Sequence, residues 1–143
     1  MKVLVIHGPN LNLLGTRELS VYGDLTLDEV NARLIVEADA LEVELDLHQT
    51  AREGEIIELL HAAIGEVGGA VVNPGAYSHT SRAIADAIRA VPFPVVEVHV
   101  SNIHARELWR RHSVTAEAAT GIIAGLGAGS YVAALRFLKE MPA

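Results

Sequence analysis

The sequence predicts a three-layer α/β fold, a parallel sheet of five strands with helices on both faces. Three observations lead there. Five short apolar runs alternate with helical patterns, as in strands joined by crossover helices. The second run alternates apolar with charged residues, which implies one wet face and a place at the sheet edge. Half of the 143 residues are hydrophobic, enough for one compact core and too few for two ordinary domains. Residues 1–143 are therefore read as a single domain.

Val3-Leu4-Val5-Ile6 is the first strand, an unbroken apolar run of the kind buried on both faces. Leu27, Val30, Leu34, Ala38 and Leu41 then recur at helical spacing, and Thr26 with Glu29 forms a capping-box start. The second strand is Glu42 to Leu47. Ile56, Leu60, Ala63 and Val67 mark a helix from Glu53 to about Val67. Ala70-Val71-Val72 is the third strand, and Asn73 to Ser81 leads from it to a helix with Ala83, Ile84, Ala87, Ile88 and Val91 inward. Pro92 and Pro94 stop that helix. Val95 to Val98 is the fourth strand and runs into His99-Val100-Ser101-Asn102. A short helix is expected over Ala105 to Arg111. Gly121 to Ala124 is the last strand, followed by a closing helix through Val132, Leu135 and Leu138.

An edge second strand beside a buried first strand gives the order 2-1-3-4-5, the flavodoxin-like arrangement. Its switch point lies between strands one and three, where ligands collect at the carboxyl ends. The loops Asn10–Tyr22 and Asn73–Ser81 then flank one crevice, with the Glu97–Asn102 end close by.

Composition narrows the ligand. The formal charge of −7 argues against nucleic acid or an anionic membrane as partner. No charged leader precedes the first strand and no apolar stretch reaches membrane-spanning length, so a soluble, unprocessed chain is expected. The absence of cysteine removes disulfides and thiol chemistry and fits a cytoplasmic setting. Lysine occurs only at Lys2 and Lys139, which disfavours an imine mechanism. Among seven histidines no metal-ligand spacing appears, so no metal is expected.

The polar residues of the rim each carry two readings. A tyrosine acts as a general base where a cation stabilises its phenolate, and Arg17 stands in the same loop as Tyr22; Tyr22 could equally pack against the first helix. Asn10 and Asn12 could bond within their own loop. Ser78, His79, Thr80 and Ser81 precede a helix, where one of them could serve as N-cap or the amides could meet an anion. His99 ends an apolar strand at the ligand side, placed for proton transfer, or it is a satisfied structural histidine. Arg106 and Arg110, four apart on an expected helix, form either a carboxylate clamp or a solvated face. Together these offer a base, an acid and an anion site without a paired nucleophile. Proton abstraction beside a carbonyl with acid-assisted loss of a leaving group fits best.

The motifs Gly8-Pro9-Asn10-Leu11-Asn12-Leu13-Leu14-Gly15 with Arg17-Glu18 and Tyr22-Gly23, Asn73 through Ser81, and Glu97 through Asn102 with Ala105-Arg106-Glu107 and Arg110 resemble the type II 3-dehydroquinate dehydratases over essentially the whole chain. The resemblance implies a flavodoxin-like catalytic domain that converts 3-dehydroquinate to 3-dehydroshikimate through an enolate, in the shikimate pathway, with no cofactor. It implies Tyr22 as base with Arg17 stabilising it, His99 as acid, and Asn10 organising the group that stabilises the enolate. Asn73, His79, Arg110 and the backbone of Val100 and Ser101 would hold the substrate, and Arg106 would support Tyr22 and a lid. A homo-oligomer is implied, a dodecamer built as a tetramer of trimers, with Asp86 reaching the neighbouring site. Leu19 stands where the family pattern has proline, Ala51 where it has asparagine, and Ala85 where many relatives carry arginine.

Two other flavodoxin-like functions fit less well. A phosphorylated receiver module needs an acidic pair after strand one and an aspartate ending strand three, where this chain has His7-Gly8-Pro9 and Asn73. A flavin carrier needs a hydroxyl-rich phosphate loop after strand one, which is absent.

Overall fold

The first apolar run becomes β1 (Lys2–His7), and the other strands are β2 (Glu44–Gln49), β3 (Gly69–Asn73), β4 (Val95–His99) and β5 (Gly121–Ala124). They form one parallel sheet in the expected order β2-β1-β3-β4-β5. The computed structural model describes residues 1–142. The helices are α1 (Leu19–Tyr22), α2 (Leu27–Leu41), α3 (Glu53–Ala62), α4 (Arg82–Ala90) and α5 (Ala128–Glu140).

Side chains on a strand alternate between faces, and here both faces are covered. Val3 and Val5 of β1 pack with Val30 and Leu34 of α2 and Leu135 of α5. Leu4 and Ile6 pack with Ile56 and Leu60 of α3 and Ile84 and Ile88 of α4. That is why the run reads as continuously apolar. β2 is partly exposed along its length, as its alternation requires of an edge.

Several boundaries differ from expectation for local reasons. Glu42 ends α2 in the left-handed region (φ 57°), its N–H bonding the Ala38 and Asp39 carbonyls, so β2 starts two residues late. The helix expected to reach Val67 stops at Ala62, and Gly65 at φ 83° lies in the turn that follows. On α4 it is Ala85 that is buried, while Ala83 faces outward. Thr26 caps α2 as expected, accepting from the Glu29 N–H at 3.2 Å.

The helix expected over Ala105–Arg111 is replaced by two 3-10 turns, Ile103–Ala105 and Leu108–Arg110. Asn102 caps the first turn through its side chain, and Arg106 and Glu107 between them are extended. The chain therefore bends around the end of β4, and Arg106 and Arg110 do not share a helical face. No helix among the described residues is long and apolar enough to cross a membrane.

Candidate active site

The parallel register sets His7 of β1 beside Asn73 of β3, and β4 ends at His99 one strand further on. Gly8 allows the first two ends to close together. Its N–H bonds the Asn73 carbonyl at 2.8 Å, and a Cβ there would lie 2.7 Å from that oxygen. Gly75 (φ 60°) likewise faces Pro9 closely. The β1 and β3 loops thus meet at the switch point and form one cavity with the segment after β4.

The loop after β1 contributes Asn10, Arg17 and Tyr22 to the cavity wall, and the loop after β3 contributes Asn73 and His79. His99, Val100, Ser101, Arg106 and Arg110 complete it from the β4 side. Ten of the residues singled out from sequence are therefore gathered around one space. Asp86 is not among them. It lies on the outer side of α4 with an 82% exposed side chain, within 3.4 Å of Arg89.

Tyr22 sits at the end of α1 with a guanidinium on each side. Arg106 donates to its hydroxyl at 2.5 Å and Arg17 at 3.4 Å. Both also lie over the ring, 5.0 and 4.6 Å from its centre. Two guanidinium groups thus converge on one phenolic oxygen. Glu18, just ahead of α1, accepts from Arg106 at 3.2 Å and lies 3.6 Å from Arg17. The Arg106 side chain is only 9% exposed, and its Nε has no hydrogen-bond partner among the described residues.

His99 is held from behind. Its Nε2 lies 2.8 Å from Oε2 of the fully buried Glu97. Ser113 donates to the same oxygen at 2.6 Å, and Thr115 donates to Oε1. A buried carboxylate needs such partners. With Nε2 committed to Glu97, Nδ1 is the ring nitrogen left for a ligand. Glu97, Ser113 and Thr115 were not legible as site residues, because their roles appear only when the chain returns from the second 3-10 turn to β4.

His79 lies in a 3-10 turn over Gly75–His79, ahead of α4, and its ring stacks near that of His99 with centres 6.4 Å apart. Its Nδ1 donates to the His112 carbonyl at 2.8 Å. Burial holds the imidazole below its ordinary range, partly opposed by that carbonyl bond and reinforced by His99 and Arg110. A neutral ring with Nδ1–H committed leaves Nε2 as an acceptor. Ser81, not His79, caps α4, accepting from the Ile84 N–H at 3.0 Å. Trp109, unremarked in the sequence, packs edge-on against His79 at 5.3 Å and beneath the Arg110 guanidinium at 4.1 Å. Arg110 also donates to Glu107 at 2.7 Å, and this bond is the main cause holding the Glu107 carboxyl below its usual range.

Asn10 adopts the left-handed region (φ 69°) and makes no capping bond with its side chain, so the amide is available to the cavity. Of the positions that depart from the family pattern, Leu19 begins α1, and Ala51 offers its carbonyl to the Tyr77 hydroxyl at 3.0 Å. The described residues hold no group of three or more acidic, histidine or cysteine side chains placed for a metal.

A family model described as Dehydroquinase class II matches residues 1–139. A "Catabolic 3-dehydroquinase" of Verticillium alfalfae is 52% identical over 136 residues, covering 95% of this chain and 91% of that protein. A "3-dehydroquinate dehydratase" of Pelotomaculum thermopropionicum is 52% identical, with 95% and 94% covered. The crystal structure of the type II dehydroquinase from Butyrivibrio crossotus superposes with a TM-score of 0.96 at 39% identity, over 98% of both chains.

Proposed function

The chain belongs to the class II dehydroquinase family of hydro-lyases, and on that premise we propose that it dehydrates 3-dehydroquinate to 3-dehydroshikimate with Tyr22 as base and His99 as acid. One observation supports the assignment above all others. Tyr22 carries two arginine donors on its hydroxyl and lines the same cavity as a carboxylate-backed histidine.

In the proposed cycle the Tyr22 phenolate removes a proton from C2 of the substrate. The electron pair moves toward the C3 carbonyl, giving an enolate. As the enolate collapses, the C1–O bond breaks and His99 delivers a proton, so the hydroxyl leaves as water. The new C1–C2 double bond is conjugated with the C3 ketone. Tyr22 ends protonated and His99 deprotonated, and solvent exchange resets both. Arg17 and Arg106 offset the phenolate charge, and Asn10 organises the group facing the enolate oxygen, an electrostatic role of several kcal/mol, order of magnitude. Asn73, His79, Arg110 and the backbone of Val100 and Ser101 hold the carboxylate and hydroxyls. The segment from Arg17 to Tyr22 acts as a lid that excludes water.

The reading extends to a single cofactor-independent catalytic domain in the cytoplasm, serving the shikimate pathway and working as a homo-oligomer. A dodecamer of four trimers would bring Asp86 to a neighbour's site, consistent with its exposure and its place outside the lining of its own cavity. Light scattering tests the assembly.

The direct test is incubation with 3-dehydroquinate. Growth of the near-ultraviolet absorbance of a conjugated enone is expected. Folded protein that leaves fresh substrate unchanged would refute the activity.

A further inference from the structure

Asn73 is joined at the floor of the cavity to a buried chain of polar side chains that the proposed chemistry does not use. Its Nδ2 lies 3.0 Å from the Tyr131 hydroxyl, which lies 3.0 Å from Nδ1 of His7. Nε2 of His7 lies 2.8 Å from Oδ1 of Asn31. His7 and Tyr131 are fully buried, and Asn73 is nearly so. The chain runs from α2 through β1 to α5 and back to the end of β3.

We infer that Tyr131 and His7 are positioning residues, fixing the Asn73 side-chain amide so that it presents an N–H donor to the ligand.

The polarity of the whole chain follows from one backbone group. The Gly75 N–H can only donate, and it lies 3.1 Å from Oδ1 of Asn73. The Asn73 carbonyl oxygen therefore points to Gly75, and Nδ2 points to Tyr131. Since Nδ2 can only donate, the Tyr131 oxygen accepts and its own proton goes on to His7. That requires an unprotonated Nδ1, so Nε2 carries the hydrogen given to Asn31. Burial supports this neutral ring, lowering the His7 pKa to about 4. It also strongly favours the protonated phenol of Tyr131, raising its pKa. Every link then has one donor and one acceptor.

The Asn73 amide thus turns its oxygen to Gly75 and one N–H to Tyr131. The second N–H is what remains for the cavity that Asn73 lines. A flip of the amide would set an N–H against the Gly75 N–H, leaving buried donors unpaired there, and Oδ1 against the Tyr131 oxygen, where one O–H cannot serve both Oδ1 and His7 Nδ1. The ligand group that meets this N–H is therefore an acceptor, a carboxylate or hydroxyl oxygen of the substrate assigned above. This inference rests on that assignment for the ligand but not for the amide orientation.

The test is a set of variants assayed with 3-dehydroquinate. Tyr131→Phe removes the link and should raise KM roughly tenfold with a smaller change in kcat. In an Asn73→Ala background it should change KM by less than about twofold, since the amide it positions is gone. His7→Leu removes the acceptor for Tyr131 and should reproduce the rise, while His7→Asn, whose carbonyl can accept, should restore KM. An unaltered KM in both Tyr131→Phe and His7→Leu, or equal effects with and without the Asn73 amide, would overturn the inference. A second readout is independent of turnover. The Asn73 side-chain amide protons should exchange slowly with deuterium in the wild-type protein and faster in His7→Leu or Tyr131→Phe. Unchanged exchange in the variants refutes the positioning role even if the wild-type protein proves inert toward 3-dehydroquinate.

Discussion

The Arg106 guanidinium reaches the Tyr22 hydroxyl at 2.5 Å and the Glu18 carboxylate at 3.2 Å, spanning both ends of α1. No residue of α1 is buried, so packing alone does little to hold this segment. Replacing Arg106 by alanine removes both ties and one of the two cations on Tyr22. Steady-state kinetics of Arg106→Ala should show kcat/KM reduced about 100-fold or more. Arg106→Lys should recover little, since a single ammonium cannot reach two acceptors in the guanidinium's fixed fork. Activity within twofold of wild type in Arg106→Ala would remove Arg106 from the mechanism.

Glu97 accepts from His99, Ser113 and Thr115. In Glu97→Gln the amide oxygen can still accept from His99 and Ser113 while the Thr115 hydroxyl turns to accept from the N–H₂ group, so the main loss is the negative charge behind a protonated His99. A fall in kcat of about 100-fold or more is expected, with the fold retained by circular dichroism. Near-normal kcat in the folded variant would show that His99 needs no charged partner.

How much of this was legible depends on how far apart the cooperating residues lie. The order of the sheet followed from one alternating run and one continuous run, and the meeting of the β1 and β3 loops followed from that order. Tyr22, Asn73 and His99 could be grouped on topology alone. Glu97 could not be read as a partner of His99 in the same way, because it sits in an apolar strand and its other partners lie 16 and 18 residues on. His7 and Tyr131 read as strand end and helix face, 124 residues apart. The four-residue spacing of Arg106 and Arg110 misled, since extended backbone at Arg106 and Glu107 breaks the helix that spacing implied.

His7 makes stability depend on pH in a definite direction. Burial lowers its pKa from 6.5 to about 4, and its ring nitrogens contact only the uncharged Tyr131 and Asn31. Between those values the unfolded chain binds more protons than the folded one. Stability is therefore fully present above about pH 6.5 and is lost as pH falls toward 4, by roughly 3 kcal/mol in all. Burial of His79 acts in the same direction, but it is common to both proteins compared. Urea unfolding from pH 7 to 4 should show a shallower loss in His7→Asn than in wild type. Equal slopes would show that His7 does not carry this dependence.

Gly8→Ala joins fold and site in one change. The added Cβ would meet Asn73 and Pro74 backbone atoms at 2.7 Å, which cannot yield as a side chain can. Thermal or urea unfolding should show a loss of about 1–3 kcal/mol, and any folded variant should bind substrate more weakly as Asn73 is displaced. A stable variant with unchanged KM would contradict the close approach of the two loops.

Separating the two proton transfers tests the division of labour between Tyr22 and His99. In deuterium oxide, His99→Ala supplied with 3-dehydroquinate should exchange the C2 proton for deuterium, seen by NMR, while forming little enone. Tyr22→Phe should do neither. Exchange at C2 that persists at the His99→Ala rate in folded Tyr22→Phe would contradict the assignment of Tyr22 as base.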